Sequence, residues 1–141
     1  MSDIMPWYFN DFIVYKNKTE GLTNYQFTHT FYKEFQVWSP NFPLLETLIS
    51  ELKVKSLVRI KLNLSHRTDT NIKSNFHCDT AFDCTTSIFY INTNNGYTEF
   101  ENGEKIDSVE NRLVTFPSNM KHLGTTCTNQ KRRIVLNLNY F

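Results

Sequence analysis

The stretch from Arg133 to Tyr140 limits the fold more than any other, because both of its faces can be read. On an extended chain Ile134, Leu136, Leu138 and Tyr140 share one side, and Arg133, Val135, Asn137 and Asn139 share the other. The same period of two runs through residues 57–64, where Val58, Ile60, Leu62 and Leu64 alternate with Arg59, Lys61 and Asn63. The apolar faces predict strands packed under a covering element. A face of Arg and Asn does not fill a dry core, so it predicts the wall of a ligand pocket. Arg133 then points inward, while Arg132, on the apolar side, directs its charge outward to solvent.

The covering element is also legible. Leu44, Leu45, Leu48, Ile49 and Leu52 follow helical spacing, which predicts an amphipathic helix over residues 42–53, started by Ser39-Pro40 or by Asn41. Before it, Phe12 to Tyr15 and Tyr25 to Lys33 are strand candidates, with a turn at Gly21. After the run at 57–64, residues 65–75 are polar and read as a loop. Strands resume at Thr85–Asn92, Tyr97–Phe100 and Asn111–Phe116. Turn signals stand between them at Asn94-Asn95-Gly96 and Glu101-Asn102-Gly103. Many short strands after one helix predict an all-β barrel or sandwich with helical cover.

A chain of 141 residues suits one domain, with residues 1–56 as cover and 57–141 as the β core. A net charge of +1 without charge blocks suggests neither a nucleic acid nor a membrane partner. The start of the chain, Met1 to Trp7, has no basic and apolar leader pattern, so a cytoplasmic location is expected. Cys78, Cys84 and Cys127 form no CxxC pair and read as free thiols.

The chemistry centres on Phe76-His77-Cys78-Asp79. His77 and Asp79 are two apart, so an extended backbone turns both to one face. An imidazole and a carboxylate need a third ligand, and His122, beyond the run Leu113 to Phe116, is the candidate. Two His and one carboxylate with open positions form the facial triad of non-haem Fe(II) oxygenases. The open positions take a bidentate 2-oxo acid and then O2. Arg133 offers the acid's far carboxylate a planar, permanently charged fork. His29 and His66 have no such partner pattern and read as hydrogen-bonded or surface histidines.

These motifs occur in a familiar order. From about Ser56 to Phe141 the chain resembles the 2-oxoglutarate/Fe(II)-dependent dioxygenase superfamily, in its prolyl-4-hydroxylase-like branch. It most resembles small members encoded by marine bacteriophages and bacteria. The matching text is Phe76 to Asp79, Ile88 to Asn92, Asn95 to Phe100, Asn111 to Phe116, His122, and Arg132 to Phe141. The resemblance implies a mainly β double-stranded β-helix, or jelly roll, with one or two N-terminal covering helices. It implies His77, Asp79 and His122 as ligands of Fe(II), with no catalytic side chain beyond them. Arg133 is implied as the 2-oxoglutarate anchor, with Tyr90 and Asn137 as further cofactor-binding residues and Thr98 as a pocket wall.

The implied reaction hydroxylates a substrate, with a peptidyl side chain such as proline favoured over a metabolite or nucleobase. It consumes O2 and releases succinate and CO2, with ascorbate as a reductant. A phage-borne copy would act in the host cytoplasm, and a homodimer would cover exposed strand edges.

The chain departs from the family pattern in places. Ser65-His66 stands where relatives often have Tyr-Pro, so either a hydroxyl contact is missing or Ser65 or Asn63 replaces it, and Asn95-Gly96 stands for the usual Gly-Gly. Two other readings use the same residues. One is a non-catalytic jelly-roll binding module or 2-oxoglutarate sensor. The other is a metal hydrolase, which needs a general base near the metal; Glu99 and Glu101 are the only nearby candidates.

Overall fold

The computed structural model describes residues 5–11, 13 and 25–141. Among these residues ten strands, β1 to β10, form two antiparallel sheets. The strands are β1 (Tyr8–Asn10), β2 (Gln26–Lys33), β3 (Gln36–Val37), β4 (Leu57–His66), β5 (Thr85–Tyr90), β6 (Tyr97–Phe100), β7 (Lys105–Asp107), β8 (Leu113–Pro117), β9 (His122–Gly124) and β10 (Arg132–Tyr140). The large sheet runs β1-β2-β4-β10-β5-β8, with β3 on β2, and the small sheet runs β7-β6-β9. The expected jelly roll, mainly β, is the observed fold. Of the strand expected at Phe12 to Tyr15 only Ile13 is among the described residues, and Gly21 lies outside them.

The two periodic runs found in the sequence are neighbours. β10 is paired in register with β4 on one side, Ile134 opposite Leu64 and Leu138 opposite Ile60, and with β5 on the other. Their apolar faces form one core. Ile60, Leu62, Ile134, Leu136, Leu138 and Tyr140 are buried with Phe31 and Leu45, and Leu48, Ile49 and Leu52 pack against them. Each fully buried aliphatic side chain contributes roughly 1.5–3 kcal/mol. This core fixes the register, because a one-residue slip of β10 would turn its polar face onto the helix.

The covering helix begins as a 3-10 turn, Phe42–Leu45, and continues as α1, Glu46–Glu51. Asn41 occupies the cap position but its side chain makes no capping bond. Ser39 arranges the entry instead: its hydroxyl accepts from the Asn41 amide at 3.1 Å and its carbonyl from the Phe42 amide at 3.1 Å. Pro43 fits the first turn, where an amide hydrogen would have no partner.

A second core lies between the sheets, built from Ile88, Tyr90, Phe100, Phe116 and Val135. Phe100 of β6 meets Phe116 of β8 edge to face, with ring centroids 4.9 Å apart. This contact joins the sheets beside His122, whose ring packs against both phenylalanines.

The polar run 65–75 is more ordered than a loop. β4 extends through His66, and the chain then follows β9 through isolated bridges at Arg67–Cys127, Lys73–Thr125 and His77–His122. The first bridge is parallel and the other two antiparallel, so the run borders β9 and the residues after it without forming a regular strand. Its polar composition reflects bonds that sheet pairing does not supply. Asn71 donates to the Thr126 carbonyl at 2.8 Å, and the Thr126 hydroxyl accepts from the Ile72 amide at 2.8 Å.

Candidate metal centre

Backbone pairing brings the three proposed ligands together. His77 and His122 are bridge partners, and Asp79 follows two residues after His77. Asp79 Oδ1 lies 3.6 Å from His77 Nε2 and 4.0 Å from His122 Nε2. One donor atom from each residue falls within 4.8 Å of the others. Cis ligands held at roughly 2.1 Å from an ion are about 3 Å apart. The donors are therefore slightly splayed, and a small rotation of the side chains would close them on an ion.

Both imidazoles are oriented from behind. His77 Nδ1 lies 3.0 Å from the Asn75 carbonyl and His122 Nδ1 lies 3.2 Å from the Met120 carbonyl. A carbonyl only accepts, so each Nδ1 carries the proton and each Nε2 presents a lone pair to the centre. His122 is buried against Phe116, with ring centroids 5.0 Å apart. Burial lowers the pKa of His122, opposed by Asp79. The neutral form that binds metal is therefore favoured.

Asp79 is held by two residues that its own motif does not reveal. Arg59 Nη2 lies 3.4 Å from Oδ1, and Asn139 Nδ2 donates to Oδ2 at 3.3 Å. Arg59 Nε donates in turn to Asn139 Oδ1 at 3.2 Å, and Asn139 Nδ2 also reaches Thr86 Oγ1 at 3.0 Å. Burial alone would raise the Asp79 pKa; His77, Arg59 and His122 outweigh it and hold the carboxyl well below the ordinary range. The site thus offers an ionised carboxylate and, at His122, an imidazole whose burial favours the neutral form that a divalent ion needs.

Arg133 enters the same cavity from β10. It is 5% exposed. Nε donates to Ser108 Oγ at 2.8 Å and Nη2 to Thr98 Oγ1 at 3.2 Å, and the guanidinium lies 5.7 Å from the Tyr90 ring centroid. Among the described residues no carboxylate pairs with it. A guanidinium stays charged even though burial lowers its pKa. Gly96 and Gly124 make room for it: a Cβ at Gly96 would come within 2.6 Å of Arg133 Cδ, and one at Gly124 within 3.4 Å of Nη1.

Asn137 lines the cavity as well, and its Oδ1 is buried without a partner. Tyr90 stands behind the wall, fully buried, and donates its hydroxyl to Thr98 Oγ1 at 2.8 Å. Its ring supports Arg133, and its hydroxyl helps fix Thr98, which does line the cavity. The cavity volume is about 80 Å³, a space for a few waters or a small acid.

The remaining histidines are structural. His29 is clamped between the Pro6 carbonyl at 2.7 Å and Ser39 Oγ at 2.8 Å. His66 stacks on Tyr25 with ring centroids 4.4 Å apart. The three cysteines are free thiols. Arg59, Asn139 and Ser108 are the functional residues that sequence reasoning missed. Arg59 and Asn139 could have been found, since both lie on the polar faces of the periodic strands; Ser108 gave no signal.

The sequence matches no protein-family model, and no curated protein is similar enough to match. Comparison with solved structures finds the fold. A protein described as an oxidoreductase of the 2OG-Fe(II) oxygenase family, from Burkholderia pseudomallei, superposes with a TM-score of 0.60 at 9% identity. That match covers 82% of this chain and 66% of the other. The DMSP lyase DddQ from Ruegeria pomeroyi also gives 0.60, at 12% identity over 98% of this chain and 57% of the other. The chain spans less than two thirds of either protein. At such identities the likeness shows a shared jelly roll. No helix among the described residues is long and apolar enough to cross a membrane.

Proposed function

We propose that the protein is an Fe(II)- and 2-oxoglutarate-dependent dioxygenase that hydroxylates a C–H bond. One observation carries this reading: His77, Asp79 and His122 line one cavity together with the buried Arg133, which has no acidic partner among the described residues. A triad alone would suit many metal enzymes. A triad that shares its cavity with an unpaired buried guanidinium suits a ligand with one end for metal and a distant carboxylate, which describes 2-oxoglutarate.

When bound, Fe(II) supplies O2 activation, by which 2-oxoglutarate, O2 and R–H become succinate, CO2 and R–OH. The chain's own residues do the positioning. Arg133, with Thr98 beside it, would orient the far carboxylate, and Asn137 offers a polar contact along the wall. Arg59 and Asn139 hold Asp79 in place, and Arg59 joins His77 in keeping it ionised. Ile88 and Val135 exclude water from the middle of the cavity wall. A peptidyl side chain is the first substrate class to test by resemblance.

The hydrolase reading lacks its base. Asp79 is the only carboxylate among the cavity's described lining residues. Glu99 is paired with Lys73 at 2.7 Å, on the face of β6 opposite the lining residue Thr98. Glu101 is exposed and pairs with Lys121 at 3.5 Å.

The test is succinate release from 2-oxoglutarate with Fe(II), O2 and ascorbate. Wild-type protein is expected to turn over slowly without substrate, and Arg133→Met to raise the KM for 2-oxoglutarate. Folded, iron-loaded protein that releases no succinate with any peptide or metabolite tried would overturn the reading.

A further inference from the structure

We infer that Lys61 is a second anion anchor in this cavity, and that it binds a carboxylate or phosphate carried by the primary substrate. The inference rests on the oxygenase reading for the word substrate. The anion site itself does not depend on it.

Lys61 lies on the inner face of β4 between Arg59 and Asn63, directly across from Asn137 of β10, and lines the same cavity as the triad. Among the described residues it makes no hydrogen bond and no ion pair. Its neighbours are open as well: Asn63 Oδ1 and Asn137 Oδ1 are both buried without a partner among the described residues. An ammonium flanked by two unsatisfied amides, all facing one cavity, is a cluster with its binding capacity unused.

Charge counting points the same way. In the proposed complex Asp79 and the two carboxylates of the oxo acid offset a divalent ion and Arg133. Arg59, which contacts the same Asp79, is not among the residues lining the cavity. Lys61 is then the cavity cation with no counter-charge, and a neutral substrate would leave it so. A substrate that brings an anion, with a donor group for the amide oxygens, satisfies the cluster.

Position separates this site from that of the oxo acid. Arg133 is opposite Ser65, and Lys61 is four residues back along β4 toward Arg59 and the Asp79 end. An anion on Lys61 therefore sits beside the metal centre, where a substrate must lie to react.

The experiment uses metal-free protein and two probes, inorganic phosphate and acetate, titrated by calorimetry at neutral pH. Arg133→Met removes the first anion site and is expected to retain saturable binding of at least one probe. Adding Lys61→Met should weaken that binding tenfold or more, and Lys61→Arg should restore it. The probe that binds more tightly names the group as phosphate or carboxylate. Lys61→Gln replaces Lys61→Met if the latter does not fold.

A second arm measures 2-oxoglutarate affinity on Mn(II)-loaded protein, where Lys61→Met should change it less than about threefold. The assignment is overturned if neither probe binds Arg133→Met, or if Lys61→Met leaves probe binding unchanged. It is also overturned if Lys61→Met weakens 2-oxoglutarate as much as Arg133→Met does. Absence of succinate release in wild-type protein would sink the oxygenase reading while leaving the phosphate and acetate arms readable.

Discussion

His77 and His122 face each other across a two-residue antiparallel bridge in which each amide donates to the other's carbonyl at 3.0 Å. Directly opposed residues point to the same face, so backbone pairing alone sets the imidazoles side by side, with ring centroids 4.8 Å apart. The two histidines differ in surroundings. His77 is partly exposed, while His122 is packed between Phe100 and Phe116. His77→Ala is expected to abolish stoichiometric metal binding and to destabilise the metal-free protein less than the corresponding change at His122. His122→Ala should abolish metal binding and also destabilise the metal-free protein by about 1–3 kcal/mol, from the lost ring contacts. Metal analysis and thermal melts of both variants check this pair.

Gly96 is predicted to control Arg133 without touching any ligand. An added Cβ would meet Arg133 Cδ at 2.6 Å, Asn94 Oδ1 at 2.8 Å and the Thr126 carbonyl at 2.9 Å, and two of these are not flexible chain ends. Gly96→Ala should therefore cost about 1–3 kcal/mol and displace the guanidinium, weakening 2-oxoglutarate tenfold or more. Gly103→Ala is the control. Its φ of +89° disfavours a side chain, but nothing lies within 4 Å of the new atom. It should cost only about 1 kcal/mol and leave ligand affinity unchanged. Chemical denaturation and calorimetry separate the two outcomes.

Asn139 is expected to matter to metal affinity although it is not a ligand. It is fully buried and bonds Asp79, Thr86 and Arg59. Asn139→Ala removes all three bonds and frees the Asp79 carboxylate to rotate. Loss of such a supporting partner typically weakens a metal site about 10- to 100-fold. A competition titration with a chromophoric chelator would show it. Unchanged affinity would mean that Arg59 alone holds Asp79.

The periodic strands were legible because alternation is a strong signal when one face must be buried, and β4 and β10 gave both the core and the pocket wall. The triad was legible because His77 and Asp79 sit in one tripeptide and His122 lies in an ordered pattern. The run 65–75 reads as a loop because its pairing is broken into isolated bridges and part of its hydrogen bonding goes to side chains, so no hydrophobic alternation marks it. The partners of Arg133 were less visible. Ser108 follows β7 by one residue, and only the folded sheet brings it beside β10. The resemblance implies Tyr90 as a cofactor-binding residue, but the direction of its hydroxyl depends on Thr98 across the sheets, and Tyr90 is not among the residues lining the cavity.

Lys61 gives a prediction about pH. Burial, together with Arg59 on its own strand and Lys33 from β2, lowers its pKa from 10.5 to about 8, against a smaller opposing pull from Asp79. At neutral pH the ammonium is charged in both the folded and unfolded chains, and the folded one bears the penalty, about 3 kcal/mol at most. Above pH 8 the folded protein releases this proton first, while the unfolded chain holds it until about 10.5. The unfolded state then binds more protons, so this contribution to stability rises with pH across that window. Lys61→Met removes the ionisable group. It should stabilise the metal-free protein at pH 7, and its advantage over wild type should shrink steadily from pH 8 toward 10. Denaturant midpoints of the two proteins at matched ionic strength measure that difference directly, and the other groups that titrate in this range cancel between them. A Lys61→Met variant less stable than wild type at pH 7 would show that the ammonium supports the fold through contacts, and that its burial is not a strain held for a ligand.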